Sequence, residues 1–307
     1  MQVSSHPRVV KLRYWAGLLW DAVTLWLDRN AFNHAGSLAF YTLFSLAPVV
    51  IIAVSIIGVV LGPEAAQGEI VAQLEDVMGL EAAQAVENTV ASARPDNGGF
   101  WPTALGIGAL LVGATTVFAQ MQYSLNTIWG VTAHPERSSI LLFLLSRLFS
   151  LTIVLAIGFV LLVSLLLGVA LRSALYFADS YVPVNPLLAE GAESLLALSV
   201  VTLLFATIFK VLPDVVLRWR DVLAGALLTS VLFSLGRYAI ATYLGYTAPA
   251  SVYGAAGSVV LVLMWVYYSS LILLFGAGFT KVHLLARGKP VVPRNSAVLV
   301  ERRLVDN

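Results

Sequence analysis

The sequence predicts an all-α membrane protein with six transmembrane helices and with both chain termini in the cytoplasm. Its apolar residues gather into six long stretches, each close to or longer than the roughly 20 residues that a helix needs to cross a bilayer core. The basic residues collect in every second gap between these stretches, where the positive-inside rule places the cytoplasmic loops. In residue numbers, the six stretches are 35–61, 100–129, 140–171, 195–212, 222–246 and 252–280.

The composition indicates one membrane domain without a separate soluble domain. Of the 307 residues, 59% are hydrophobic and only 11% are charged, whereas soluble domains carry about 25% charged residues. The net charge of +1 provides no bulk field that would recruit nucleic acid. Because the chain contains no cysteine, the sequence excludes disulfides, thiolate catalysis and cysteine-ligated metal sites.

The segments around the spans follow from the charge pattern. Residues 1–34 predict a cytoplasmic N-terminal segment, in which an amphipathic helix over 9–27 lies on the inner leaflet or packs on the cytoplasmic loops. The six-helix domain occupies 35–285, and its acidic 62–99 gap predicts an extracytoplasmic loop with two short amphipathic helices. Residues 286–307 are predicted to form a cytoplasmic tail.

The second and third spans are longer than a bilayer requires. A helix over 100–129 would be about 45 Å long against a hydrocarbon core of about 30 Å. Tilt, a kink or projection into the cytoplasm must absorb the difference. The fourth span follows an irregular segment that is rich in Pro and Asn, 182–186, so its start is the least defined of the helix boundaries.

Polar side chains within the first two spans predict either helix–helix packing or a substrate path. Tyr41, Ser45 and Pro48 lie on one face of the first span, and Pro48 leaves a backbone carbonyl without its donor, which weakens that helix. Gln122 and Asn126 are four residues apart near the cytoplasmic end of the second span. Amides of this kind either hold helices together by hydrogen bonds or line a path.

Arg237 is the only charged residue between Asp221 and Lys281. It falls near the middle of the fifth span, where an isolated Arg costs about 2.5–3.5 kcal/mol on the insertion scale. It should therefore have a partner or contact water, which makes it either a member of a structural pair or a residue that lines a cavity. On the same helix, the small residues Gly225 and Thr229 predict a close helix contact.

The sequence contains none of the motifs of the common catalytic centres. Its four histidines are scattered without a metal-binding spacing, and there is no phosphate-binding loop, dinucleotide fingerprint or nucleophile elbow. No acid lies between Asp221 and Lys281, so a carboxylate proton relay through this part of the bundle is not predicted. We therefore expect no enzyme activity, no cofactor and no metal site.

Three blocks of sequence carry a further signal. They read AFYTLFSLAP at 39–48, QYSLNTIWG at 122–130, and FKVLPD followed by RWRDVLAGA between 209 and 226. The third block continues through GRY, SVYGA and WVY at 236–238, 251–255 and 265–267. In this order the blocks resemble the YihY/BrkB family of bacterial inner-membrane proteins, formerly mislabelled ribonuclease BN. The loop motif of the third block comprises Pro213, Trp219, Arg220, Asp221 and Gly225.

The resemblance implies a multi-pass protein of the bacterial inner (plasma) membrane. It associates the chain with virulence, with movement of lipids or lipid precursors, and with monovalent-cation exchange. Family members often carry Glu after a Gly-Ala pair near the end of the sixth span, but this chain has Gly278 there. The resemblance therefore implies no cation or proton site at that position.

Together these observations predict a transporter or flippase-like protein for an amphipathic or lipid-linked substrate. The alternatives are a monovalent cation/proton antiporter and a non-transporting envelope scaffold. The expected partners are membrane lipids and an anionic or lipid-linked substrate, without nucleic acid, and the sequence leaves the oligomeric state open. Arg237 would neutralise an anionic head group in a cavity between the first, second and fifth spans. The other predicted path residues are Tyr41, Ser45, Pro48, Gln122, Asn126 and Tyr253.

Overall fold

The computed structural model describes residues 7–61, 100–134, 186–247 and 257–301, with a few helical positions between 68 and 84. The predicted third span, most of the 62–99 loop and Tyr253 lie outside the described residues. Six helices and two short strands make up the described part of the chain. They are α1 (Pro7–Asp28), α2 (Ala31–Leu61), α3 (Phe100–Trp129), β1 (Val131–Ala133), α4 (Pro186–Val211), α5 (Trp219–Thr247), α6 (Gly257–Ala286) and β2 (Ala297–Leu299).

The helices α2 to α6 coincide with the first, second, fourth, fifth and sixth predicted spans. The helix α4 begins at Pro186, earlier than predicted, because proline fixes a helical φ and is favoured at the first position of a helix. The helix α2 continues through Pro48 to Leu61. By length and composition, three helices in the described part of the chain could cross a membrane, and their apolar windows are Ser194–Val211, Trp219–Ile240 and Val259–Ala286.

The helix α6 lies at the centre of the described bundle. It packs against α1, α2, α3 and α5, whereas α4 packs mainly against α5. A tight turn of two residues connects α1 to α2, and within it Asn30 has a φ of 52°. Asparagine is one of the few residues that adopt this left-handed conformation readily, so the turn suits the residue that occupies it.

The helix α1 packs along the C-terminal half of α6. Leu18 and Ala22 are buried against Phe279, and the indole N–H of Trp26 donates to the carbonyl of Leu271 at 3.2 Å. The outer side of α1 keeps large apolar side chains exposed, with Trp20 72% exposed. One face of α1 therefore packs on another part of the chain. The opposite face carries exposed aromatic residues, as an interfacial helix would.

The most completely buried side chains lie at one end of the bundle, which we call the basic end. It is formed by the α1–α2 turn, the end of α3, the 212–218 loop and the segment 287–301. The four basic parts of the sequence therefore meet at one end. The large side chains buried there include Trp129, Phe209, Leu125, Ile128, Leu212, Leu274, Val215, Val222 and Pro213.

The helices α5 and α6 approach each other closely through two reciprocal Gly–Thr contacts. A Cβ on Gly225 would collide with Oγ1 of Thr280, and a Cβ on Gly276 would collide with Oγ1 of Thr229. Each hydroxyl donates to the carbonyl of the glycine on its own helix, from Thr229 at 2.6 Å and from Thr280 at 2.7 Å. The close contact that the sequence predicts at Gly225 and Thr229 is present.

The all-α prediction needs one correction, because two three-residue strands pair at the basic end. The strands β1 and β2 are antiparallel, with Thr132 opposite Val298. The helix α3 ends at Trp129, and the next residue, Gly130, has a φ of 73°, a conformation that glycine adopts without steric cost and that commonly terminates helices. The chain leaves this turn extended and pairs with the predicted tail, which the structure describes up to Glu301.

Candidate functional site

Gln122 and Asn126 of α3 meet at the carboxylate of Asp214, in the loop between α4 and α5. The amide of Asn126 donates to Oδ2 of Asp214 at 2.8 Å, and the amide of Gln122 donates to the same oxygen at 3.2 Å. In return, the backbone N–H of Asp214 donates to Oδ1 of Asn126 at 2.8 Å. The hydroxyl of Ser296 donates to the other carboxylate oxygen at 3.4 Å. These amides therefore hold a loop and the C-terminal segment against α3.

Asp221 secures the start of α5. Its Oδ2 accepts the backbone N–H of Arg218, the residue before the helix, at 3.3 Å. A first-turn acid that accepts this donor is one half of a capping box, and its charge is favourable at a helix N-terminus. Its Oδ1 forms an ion pair with Lys289 at 2.5 Å. A carboxylate that is only 5% exposed thus has both a backbone donor and a cation.

The remaining residues of the loop motif divide between packing and surface. Pro213 is buried in the basic end, and Gly225 forms the α5–α6 contact described above. Trp219 is 43% exposed, and the Nζ of Lys210 lies 4.2 Å from its ring centroid. Arg220 is exposed. The motif therefore fixes the path of the loop and presents an aromatic and a cationic side chain beside it.

Lys281 is a buried cation that the sequence reading treated only as a topological charge. It is 9% exposed, and its Nζ donates to the carbonyl of Ile128 at 3.0 Å. A lysine placed in this way satisfies one of the free carbonyls at the end of α3. Arg29 and Lys281 both approach Gly130, with nitrogens 3.3 and 3.4 Å from the place that a Cβ would occupy. The glycine therefore makes room for two cations.

Arg237 is half-buried on α5, with its guanidinium carbon 5.5 Å from the ring centroid of Tyr238. The hydroxyls on its helix face are hydrogen-bonded. Ser234 donates to the carbonyl of Ser230 at 2.9 Å, and the Oγ of Ser230 lies 2.7 Å from Oγ1 of Thr202 on α4. The α4–α5 interface therefore carries a line of polar groups on the face that ends at Arg237.

The structure places the predicted path residues in two separate groups. Gln122 and Asn126 are at the basic end, whereas Arg237 lies about 24 Å along α5 from Asp221 at 1.5 Å per residue. The helix α5 packs on α4 and α6, while α3 packs on α2 and α6. The polar line that includes Arg237 therefore follows α4, and the two amides of α3 serve the basic end.

The α2 face predicted from spacing is only partly turned inward. Ser45 is 1% exposed, but Tyr41, about one turn earlier, is 38% exposed. The ring of Tyr41 meets Phe40 edge-on at 5.9 Å between centroids. Pro48 lies within the helical backbone of α2, but its side chain and the whole of Tyr253 lie outside the described residues.

The residues that the structure describes contain no group of three His, Asp or Glu side chains placed to hold a metal ion. Two acids of the basic end are engaged by side chains described above, Asp214 by amides and Asp221 by Lys289. This arrangement can hold helices and strands together and can present cations.

Comparison with known protein families matches residues 22–295 of this chain to a family described as virulence factor BrkB. A UPF0761 membrane protein of Xanthomonas oryzae pv. oryzae is 28% identical over 311 residues, which cover 94% of this chain and 68% of the relative. A relative from Xanthomonas euvesicatoria pv. vesicatoria is 27% identical with the same coverage. One from Xanthomonas axonopodis pv. citri is 27% identical over 87% of this chain and 61% of its own. No solved structure matches the chain.

Proposed function

The chain belongs to the virulence factor BrkB family of membrane proteins, and from that premise we propose that it moves an anionic amphipathic or lipid-linked substrate across the bacterial inner membrane. Arg237 is the observation that carries this proposal. It is a half-buried cation near the middle of the long apolar helix α5, where placing a charge costs about 2.5–3.5 kcal/mol. A cation retained at such depth would attract the head group of an anionic substrate as it passes.

The proposed path follows the α4–α5 interface. Thr202, Ser230 and Ser234 already place hydroxyls along this interface, and hydroxyls can exchange their hydrogen bonds with a polar head group. The apolar residues on the outer face of α5, which include Leu227 and Leu235, would contact lipid tails. An amphipathic substrate needs both surfaces at once.

The proposed topology has six spans and both termini in the cytoplasm, with the basic end on the cytoplasmic side. Support comes from the meeting of all four basic segments at one end of the bundle, since the positive-inside rule assigns such segments to the cytoplasm. The same charges would lie near the anionic lipid head groups of that leaflet.

We also propose that the protein has no enzymatic activity, cofactor or metal of its own. Movement of substrate would then depend on a gradient or on a partner protein. Asp214 and Asp221 at the basic end are engaged by amides and by a lysine, so this proposal assigns these two acids to structure.

A non-transporting scaffold is the second candidate, and the hydrogen-bonded basic end favours it. A scaffold needs a fixed surface more than a moving path, and Asp214 with its three donor side chains provides such rigidity. The antiporter alternative receives less support. Its expected acid position is Gly278, where a Cβ would lie 3.7 Å from the carbonyl oxygen of Ala22 in α1.

Reconstituted vesicles test the proposal. Protein in vesicles of phosphatidylcholine and phosphatidylglycerol is given a fluorescent phosphatidylglycerol, and an impermeant reductant reports which leaflet the probe occupies. We expect Arg237→Leu to lower the rate at which the probe moves between leaflets by about ten- to hundredfold, since a hydrogen bond to a charged group contributes about 1.5–3 kcal/mol. Arg237→Lys is the matched control and should retain most of the rate, because it keeps the charge.

The same assay on the wild-type protein distinguishes the transporter, the antiporter and the scaffold. Coupled movement of a monovalent cation and protons, without lipid movement, would favour the antiporter. Vesicles that move neither lipid nor cations would favour the scaffold. Equal rates for Arg237→Leu and wild type would remove Arg237 from the path.

A further inference from the structure

The segment 287–301 runs from α6 back across the basic end, and we call it the clasp. Its backbone forms hydrogen bonds with the end of α3 and with the 212–218 loop. Four of these bonds are 2.9 Å long, and they join the N–H of Val300 to the carbonyl of Gly130, His134 to Ser296, Val216 to Val292, and Arg294 to Asp214.

Side chains add a second set of attachments at separate points. An ion pair, a guanidinium–carbonyl bond and a hydroxyl–carboxylate bond hold the clasp to the start of α5, the end of α4 and the loop. In order along the clasp, they are Lys289 to Asp221, Arg294 to the carbonyl of Lys210 at 3.2 Å, and Ser296 to Asp214 at 3.4 Å.

The elements that the clasp holds also bind each other. Asn126 on α3 exchanges two hydrogen bonds with Asp214 in the loop. Ala297 and Val131, one on each strand, are 6% and 3% exposed and join the main apolar core. Because these contacts close a ring, opening the end requires several of them to break together, and regions built in this way open as one cooperative unit.

We infer that the clasp keeps the basic end closed, so that the moving part of the bundle lies at its other end. A substrate would then reach the polar line of α4 and α5 from the side or from the opposite end. The location of the movement rests on the proposed transport function, whereas the closed state of the clasp does not.

Hydrogen exchange tests the closed state without a transport assay. In the reconstituted full chain, the amides of His134 and Val300 should exchange at least about a hundredfold more slowly than those of exposed turns, because closed cooperative units exchange only through rare opening. Exchange of these two amides as fast as that of the exposed turn at Asn295 would overturn the inference.

A disulfide tests where the movement occurs. Thr132 and Val298 form a hydrogen-bonded antiparallel pair, whose Cα atoms are about 5.5 Å apart, within the range that a disulfide spans. Since the native chain has no cysteine, Thr132→Cys with Val298→Cys gives one defined cross-link. The matched control is Thr132→Cys with Leu299→Cys, because successive strand residues point to opposite faces.

Once oxidised, the variant with Thr132→Cys and Val298→Cys should move phosphatidylglycerol at the wild-type rate within about twofold, since a closed end needs no opening step. A loss of about tenfold or more that reduction restores would show that the basic end opens during the cycle, and it would overturn the inference. If wild-type vesicles move no lipid, the proposed function fails, while the exchange measurement still decides the closed state of the clasp.

Discussion

The reciprocal Gly–Thr contacts make a sharp prediction about the stability of the α5–α6 pair. Gly276→Ala places a methyl group against Oγ1 of Thr229, which is fully buried and bonded to the carbonyl of Gly225. Overpacking of a dense interior costs about 1–3 kcal/mol, and the better helix propensity of Ala returns about 0.8–1 kcal/mol. We therefore expect a net loss of up to about 2 kcal/mol in the free energy of unfolding.

The equivalent substitution on the other helix, Gly225→Ala, should cost more. A Cβ on Gly225 would meet Oγ1 of Thr280 and also the backbone carbonyl oxygen of Gly276 at 2.9 Å. A side chain can yield, but a helix backbone moves only if the two helices separate. The further neighbour of Gly276 is the ring of Phe209 at 3.0 Å, which can shift. Thr229→Ala should therefore rescue Gly276→Ala, and Thr280→Ala should rescue Gly225→Ala only in part.

Thermal unfolding in detergent, followed by intrinsic fluorescence, measures these differences. A loss of 1 kcal/mol lowers Tm by about 2–4 °C for a chain of roughly this size, so Gly225→Ala should lower it by several degrees. Gly278→Ala is the matched control, because its nearest neighbour is 3.7 Å away, and it should leave Tm unchanged or raise it. The reasoning is refuted if Gly276→Ala behaves like Gly278→Ala, or if its effect simply adds to that of Thr229→Ala.

Two further predictions concern the basic end and its orientation in the membrane. Asn126→Leu should lower the stability by more than Gln122→Leu, because it removes one donor to the carboxylate of Asp214 and also leaves the backbone N–H of Asp214 without its acceptor, at about 1–3 kcal/mol; the opposite order of Tm values would contradict this assignment. A cysteine at the exposed Gly191, near the start of α4, should react with an impermeant thiol reagent added outside intact cells, and a cysteine at Asn295 should not. The native chain gives no background, and the reverse labelling pattern would exclude the proposed orientation.

The helices of this protein are readable from sequence because each is specified by residues close to one another in the chain. Long runs without charge predict α2, α3 and α6, and the spacing of Gly225 and Thr229 predicts the face on which α5 makes a close contact. Boundaries were less accurate, as at Pro186, since a local rule about the first helical position competes with hydropathy.

The partners of the polar residues were not readable in the same way. The pair Gln122 and Asn126 stands out in an apolar helix, but the carboxylate that they bind follows Gln122 by 92 residues. The strands β1 and β2 have three residues each, which is too few for an alternating pattern to show. Asp214, Ser296 and Lys281 acquire their roles only from packing between distant segments.

The wide separation in sequence between α1 and its partner α6 has a consequence for biosynthesis. Leu271, whose carbonyl accepts the indole N–H of Trp26, follows that residue by 245 positions. At about 5–20 residues per second, a ribosome needs about 12–50 seconds to cover that interval. During this time the first helices are already made but their central partner α6 is not, so the nascent chain depends on lipid or on the insertion machinery to cover the surfaces that α6 later occupies. Assembly of the buried centre is therefore a late event, completed only after the last helix has been delivered.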